Sequence, residues 1–209
     1  MALIIYGTPQ SRTIRTLWAA EELGLTYEHR PLKWDDPQLK SPSFLALNPA
    51  GTIPTIVDDG YAVAESLAIN LYLAKKYGAC GPSPLYPATL QGEAEVWKWS
   101  LWAQAHLEPW VQRDTLLTDL LRAMETASEP TIERGLTLLN QALGERVWLA
   151  GDHFSVADLN VAAVLSPSRV ARLKMQGFDH LRRWLDSCYG RPAARAVRRR
   201  FAAPAPQRG

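Results

Sequence analysis

In the first third of the chain, short apolar runs alternate with helical stripes. Ala2 to Tyr6 is a β-branched run halted by Gly7 and Pro9, the pattern of a buried strand. Ser11 then opens a helix in which Ile14, Leu17, Trp18 and Ala20 keep one face apolar from Thr13 to Leu23, with Gly24 as its stop. Tyr27 to Lys33 has the composition of a second strand. After Asp35-Asp36-Pro37 a weaker helix carries Phe44, Leu45 and Leu47 toward Asn48-Pro49. Thr55-Ile56-Val57, Asp58-Asp59-Gly60 and Tyr61-Ala62-Val63 read as a hairpin, because Asp-Gly supplies the positive φ that tight hairpin turns require. Glu65 to Tyr77 is an amphipathic helix ended by Gly78, so the order is β-α-β-α-β-β-α.

From Ala79 to Pro87 the pattern fails, since Pro82, Pro84 and Pro87 permit neither a helix nor a central strand. This segment reads as a linker. Beyond it every periodic stretch is helical, at about residues 88–125, 130–144, 155–165, 178–189 and 192–201. The expected organisation is an α/β domain over 1–78, a linker over 79–87 and an all-helical domain over 88–209.

Composition narrows the field. The chain has 209 residues, 47% of them hydrophobic and 21% charged, which is ordinary for a globular protein apart from its eight Trp. A formal net charge of +2 is too small to drive general nucleic-acid binding. Only residues 191–209 depart from this balance, with six Arg and no acid, and a solvated basic tail is preferred there over an RNA or membrane contact. Cys80 and Cys188 fit neither a Cys-x-x-Cys redox pair nor a zinc site, so no disulfide framework or metal is expected. Met1 to Tyr6 has no positive leader, and no apolar run approaches the ~20 residues of a membrane helix. These features suit a cytoplasmic protein.

Ser11 and Arg15 in Ser-x-x-x-Arg spacing, the run Asn48-Pro49-Ala50-Gly51-Thr52-Ile53-Pro54, and Glu65-Ser66 at a helix start occur in this order within the β-α-β-α-β-β-α unit. In that order they resemble the cytosolic glutathione transferases, and most closely the serine-type classes, over nearly the whole chain. The resemblance implies a thioredoxin-like N-terminal domain that binds glutathione and an all-α C-terminal domain that supplies the second-substrate pocket. It also implies a homodimer, without nucleic-acid or membrane partners.

Under that resemblance Ser11 stabilises a thiolate. A thiol of pKa ~8.5 is only a few per cent ionised at neutral pH, and lowering it by about two units needs ~2.7 kcal/mol. A hydroxyl donating to an anion supplies ~1.5–3 kcal/mol and a helix N-terminus ~0.3–1, which suffices without a metal or a histidine. Serine as nucleophile would need a positioned base, and the Gly-x-Ser-x-Gly elbow is absent. Ser11 as a plain helix cap remains open, as do Thr8 and Thr13 as alternative donors.

The remaining ligand residues follow from the resemblance. The Ile53-Pro54 bond would be cis, leaving the Ile53 backbone to pair with the cysteinyl residue of glutathione. Glu65 and Ser66, at an exposed helix N-terminus, would hold the γ-glutamyl end, and Lys40 the glycine carboxylate. In the first long helix of the second domain, Trp99, Trp102, His106, Trp110 and Arg113 recur at intervals of three and four and share one face. That face reads either as core or as one wall of an electrophile pocket, with Trp34 opposite. Ser155 and Asp158 have capping-box spacing, flanked by Phe154 and Leu159 as a hydrophobic staple, and are assigned to folding.

The expected activity is conjugation of glutathione to a small hydrophobic electrophile, in detoxification. A glutathione-dependent isomerase, dehalogenase or disulfide reductase, and a non-catalytic binding protein, are the alternatives on this scaffold.

Overall fold

The computed structural model describes residues 2–78, 84–109, 111 and 129–201. The chain divides into two compact units. One runs to Ser83 and resumes at Gly190; the other spans Pro84–Tyr189.

The first unit is built on a four-stranded sheet of order β2-β1-β3-β4, formed by β1 (Leu3–Tyr6), β2 (Tyr27–Arg30), β3 (Thr55–Asp58) and β4 (Tyr61–Ala64). β1 pairs in parallel with β2 across the helix α1 (Thr13–Glu22) and antiparallel with β3. Ile5 and Ile56 face each other in that register, and both are fully buried. β2 is shorter than its sequence suggests. Pro31 follows Arg30 directly and has no N–H to donate to the ladder. Between β2 and β3 lie a 3₁₀ turn (Pro37–Lys40) and the short helix α2 (Pro42–Leu47), capped by the Ser41 hydroxyl. The β3–β4 turn has positive φ at both Asp59 and Gly60, as the Asp-Gly pair predicts.

Helix α3 (Ser66–Tyr77) is pinned to the sheet through one carboxylate. Asp58, at the end of β3, accepts from the Tyr77 and Tyr72 hydroxyls at 2.8 Å each and from Lys76 Nζ at 2.7 Å. Burial would raise its pKa, but the bonds from Lys76, Tyr77 and Tyr72 prevail and hold it below the usual carboxylate range.

The chain returns to this unit in the C-terminal helix, Pro192–Arg200, which packs on α1. Its Ala194 and Val197 are buried, and Arg191 closes a bidentate pair with Glu22 of α1 (2.8 and 2.9 Å). Trp18 Nε1 donates to the same carboxylate at 2.9 Å. Arg200 reaches Glu21 at 3.4 Å, and the Phe201 ring stands edge-on to His29. Residues 191–201 are therefore not the solvated tail of the helical domain that their charge suggests. The acids that balance them lie far away in sequence, at Glu21 and Glu22.

The second unit is helical among its described residues: α4 (Leu90–Trp102), α5 (Glu129–Glu145), α6 (Val156–Leu165), a short α7 (Pro167–Val170) and α8 (Asp179–Tyr189). The C-terminal helix of the first unit is thus α9. All ten residues of α6 are buried, which makes it the axis of this unit. Its start is the expected capping box, with Ser155 and Asp158 reciprocally bonded. Asp158 also accepts from Leu149 N at 2.9 Å and Trp184 Nε1 at 2.8 Å, joining α6 to the preceding loop and to α8. Asn160 donates to Ser100 at 3.0 Å and ties α6 to α4.

Candidate functional site

The loop from Gly7 to Ser11 follows β1 and delivers the chain to α1. Gly7 is held on both sides: its N–H donates to Arg30 O at 3.0 Å, and His29 Nε2 donates to its carbonyl at 2.8 Å. Its φ of +129° favours glycine, and a Cβ there would lie 2.1 Å from Thr13 Oγ1 and 3.0 Å from the Ile53 Cβ. The loop therefore packs tightly against both α1 and the segment that precedes Pro54.

Ser11 is half-buried just before α1. Its Oγ donates to Thr8 O at 2.7 Å, accepts from Thr13 N at 3.1 Å and lies 2.9 Å from Thr13 Oγ1. The Thr13 side chain is fully buried, whereas the Thr8 hydroxyl is bonded to Gln10. Tyr6, the phenol nearest in sequence, accepts from Arg30 at 2.9 Å and packs edge-on to Phe44 in the core. Of the three candidate hydroxyls, Ser11 is the one that is both partly open and bonded into the helix start.

Asn48 organises the segment leading to Pro54. Buried at 4% exposure, its side chain donates to Thr52 O and to Thr55 Oγ1 and accepts from Ala50 N, all at 3.0–3.1 Å. The Ile53–Pro54 bond is cis, as the resemblance implies, and Ile53 packs on the cluster of Tyr6, Leu32, Leu39 and Phe44. Lys40 is exposed at the end of the 3₁₀ turn, its Nζ 2.9 Å from where a Gly51 Cβ would stand.

Glu65 and Ser66 differ in exposure. Glu65 is exposed and has φ +69°, a conformation costly for a non-glycine residue and characteristic of functional sites. Ser66 is buried instead of lying open at the helix start, and Arg15, itself 2% exposed, points Nη1 at its hydroxyl at 3.4 Å. Arg15 thereby links the first turn of α1 to that of α3. Ser11, Lys40, Ile53, Pro54, Glu65 and Ser66 thus all lie in one unit, joined through Gly7, Gly51 and Arg15.

The aromatic residues are distributed otherwise. Trp34 belongs to the first unit and is 78% exposed. Trp99 is core, edge-on to Trp102, which is half-buried against Gly135 of α5. After Trp102 the helix widens into a π turn over Ala103–Leu107, and His106 is exposed. α-Helical spacing predicts a single face only at constant pitch, and the π turn over Ala103–Leu107 departs from that pitch by an extra residue. Pro109 lies just beyond, where its missing N–H and its ring are incompatible with a regular helix. Trp110 and Arg113 fall outside the described residues. Among the described residues no group of His, Cys, Asp and Glu could hold a metal, and no helix is long and apolar enough to cross a membrane.

Comparison with known proteins identifies the family of the chain. Residues 1–75 match the family Glutathione S-transferase, N-terminal domain, and residues 108–187 match Glutathione S-transferase, C-terminal domain. Glutathione S-transferase 3 of Zea mays is 33% identical, with the alignment covering 91% of this chain and 90% of that protein. Glutathione S-transferase F9 of Arabidopsis thaliana is 28% identical over 98% of this chain and 100% of its own. The structure of glutathione S-transferase III in apo form superposes with a TM-score of 0.80 at 29% identity, covering 99% of this chain and 100% of that one. The chain belongs to the glutathione S-transferase family and is an enzyme of that type. The first unit is its thioredoxin-like domain and the second its helical domain.

Proposed function

We propose that this protein is a serine-type glutathione transferase, in which Ser11 stabilises the glutathione thiolate for attack on a small hydrophobic electrophile. The observation that carries this reading is the half-buried Ser11 hydroxyl at the start of α1, on a loop packed against Ile53. The Ile53 backbone pairs with the cysteinyl residue, Glu65 and Ser66 take the γ-glutamyl end, and Lys40 takes the glycine carboxylate. Burial of the Ser66 hydroxyl beside Arg15 puts the exposed part of that contact on Glu65.

The chemistry needs little beyond this. Charge develops on sulfur as its proton passes to solvent water, and a fixed hydroxyl dipole lowers the cost of that charge. The thiolate then bonds to an electrophilic carbon held beside it, with the leaving group departing or the new carbanion taking a proton. Trp34, Trp102 and His106, with Trp110 and Arg113, are the candidate residues for the second substrate. The absence of cysteine at position 11 disfavours a mixed disulfide with the protein. A homodimeric, cytoplasmic enzyme of detoxification completes the proposal.

The test is glutathione turnover against aryl halides, organic halides, hydroperoxides, disulfides and maleyl-type substrates, with wild type and Ser11→Ala across pH. The expected result is turnover of at least one carbon electrophile and a kinetic pKa raised by about one to two units in the variant, from loss of a bond of ~1.5–3 kcal/mol. Glutathione affinity without turnover of any of these would return the protein to a binding role.

A further inference from the structure

Ser11 carries a single hydroxyl proton, and the hydrogen bonds around it specify where that proton points. Thr8 O, 2.7 Å away, is a carbonyl and can only accept, so the Ser11 proton is directed there. The 2.9 Å contact between Ser11 Oγ and Thr13 Oγ1 must then be donated by Thr13. Ser11 Oγ also accepts from the Thr13 backbone N–H at 3.1 Å. Both lone pairs of Ser11 are therefore occupied by donors from one residue, and its proton is the only part left to be redirected.

Thr13 is fixed by its surroundings. Its side chain is fully buried, and its hydroxyl occupies the space that a Cβ at Gly7 would fill. It cannot reach a ligand in solution directly. What it does reach is the oxygen that would meet one.

We propose that Thr13 is a positioning residue for Ser11: its hydroxyl and amide hold the Ser11 oxygen in place and polarise it, so that the Ser11 proton swings from Thr8 O to the glutathione sulfur when the thiolate forms. The inference rests on the assignment of Ser11 as the thiol-stabilising group. Donors on an oxygen strengthen the bond which that oxygen donates in turn, and a thiolate competes for the proton better than a neutral carbonyl. The role needs no proton transfer from Thr13 and no contact between Thr13 and substrate. It also explains why a glycine stands at position 7, where any side chain would displace the Thr13 hydroxyl.

The experiment is the pH dependence of kcat and kcat/KM for glutathione conjugation in wild type, Thr13→Val, Thr13→Ser and Ser11→Ala. Thermal unfolding of each variant separates activity from stability. Thr13→Val should raise the kinetic pKa of bound glutathione by about half a unit to one unit. Turnover at neutral pH then falls roughly 3- to 10-fold and recovers in alkali, with KM for glutathione little altered. Thr13→Ser, which keeps the hydroxyl, should restore the wild-type profile. Should Thr13→Val fail to fold, Thr13→Ala removes the same hydroxyl without new bulk and carries the same expectation. Superimposable profiles for Thr13→Val and wild type, beside a shifted Ser11→Ala profile, would overturn the role of Thr13 alone. An equal defect in Thr13→Ser would assign the effect to the lost methyl group and overturn it too. An unshifted Ser11→Ala profile would overturn the reading of Ser11 on which the inference rests.

Discussion

Glu22 and Arg191 are separated by 169 residues and meet in a two-pronged ion pair, with the carboxylate 4% exposed and the guanidinium 22%. Trp18 shares the Glu22 carboxylate, so α1, which bears the Ser11 and Thr13 end of the site, is fastened at its other end by the C-terminal helix α9.

Removing Arg191 leaves the Glu22 carboxylate buried without its cation. Arg191→Ala should cost about 3–5 kcal/mol, read as a lower urea midpoint. Replacing both members by methionine should recover much of that loss, because two apolar side chains of similar volume need no pairing.

Asp58 makes stability depend on pH in a predictable sense. Its folded pKa is depressed, so its contribution is present above the unfolded carboxylate value and is lost as pH falls through the folded one. Asp58→Asn should therefore be less stable than wild type at neutral pH, by about 1.5–3 kcal/mol for a charge-assisted hydrogen bond lost at the α3 junction. The gap should narrow on acidification. Denaturant titrations at neutral pH and at pH well below the carboxylate range measure it.

Asp158 should behave in the opposite sense. Burial raises its pKa, with the bonds from Leu149, Trp184 and Ser155 only partly offsetting it. Its ionisation therefore draws stability down as pH rises from the unfolded carboxylate value toward the raised folded one. The residue is still indispensable as an acceptor. Asp158→Ala orphans buried N–H groups of Leu149, Ser155 and Trp184, at about 1–3 kcal/mol each. Hydrogen exchange should show loss of protection at the start of α6 and in α8.

Glutathione should protect the protein against heat. At 100 times its dissociation constant the expected gain is ~2.7 kcal/mol. The protection should shrink in Glu65→Ala, whose side chain is exposed and whose loss leaves the packing intact, and equal protection in that variant would remove the γ-glutamyl assignment.

Much of the fold was legible because local chemistry and tertiary structure agree. The turn at Asp59-Gly60 needs two positive φ values, and the capping box at Ser155 and Asp158 closes within one helical turn. Both are short-range demands. Non-local features escaped: Ser66 is buried beside Arg15, 51 residues away in sequence, and the Arg191 pairing depends on an acid that no window around the C-terminus contains. The tryptophan stripe rests on a different assumption, since periodicity supposes a constant helical pitch and the π turn at Ala103–Leu107 changes it. Asn48 gave a partial signal, as a polar residue before proline with Thr52 and Thr55 in reach. Its role as the centre of that loop emerges only when its bonds are counted together.

The return of the chain at Gly190 has a consequence for biosynthesis. The unit that carries Ser11, Ile53 and Ser66 is discontinuous in sequence, whereas Pro84–Tyr189 is a single stretch. At ~5–20 residues per second, roughly ten to thirty seconds of translation separate Glu22 from its guanidinium. Throughout that interval α1 is without α9, and the Glu22 carboxylate is without the guanidinium of Arg191. The helical unit, although synthesised later, has its whole sequence available first, so the order in which the two units can be completed on the ribosome is the reverse of the order in which they begin.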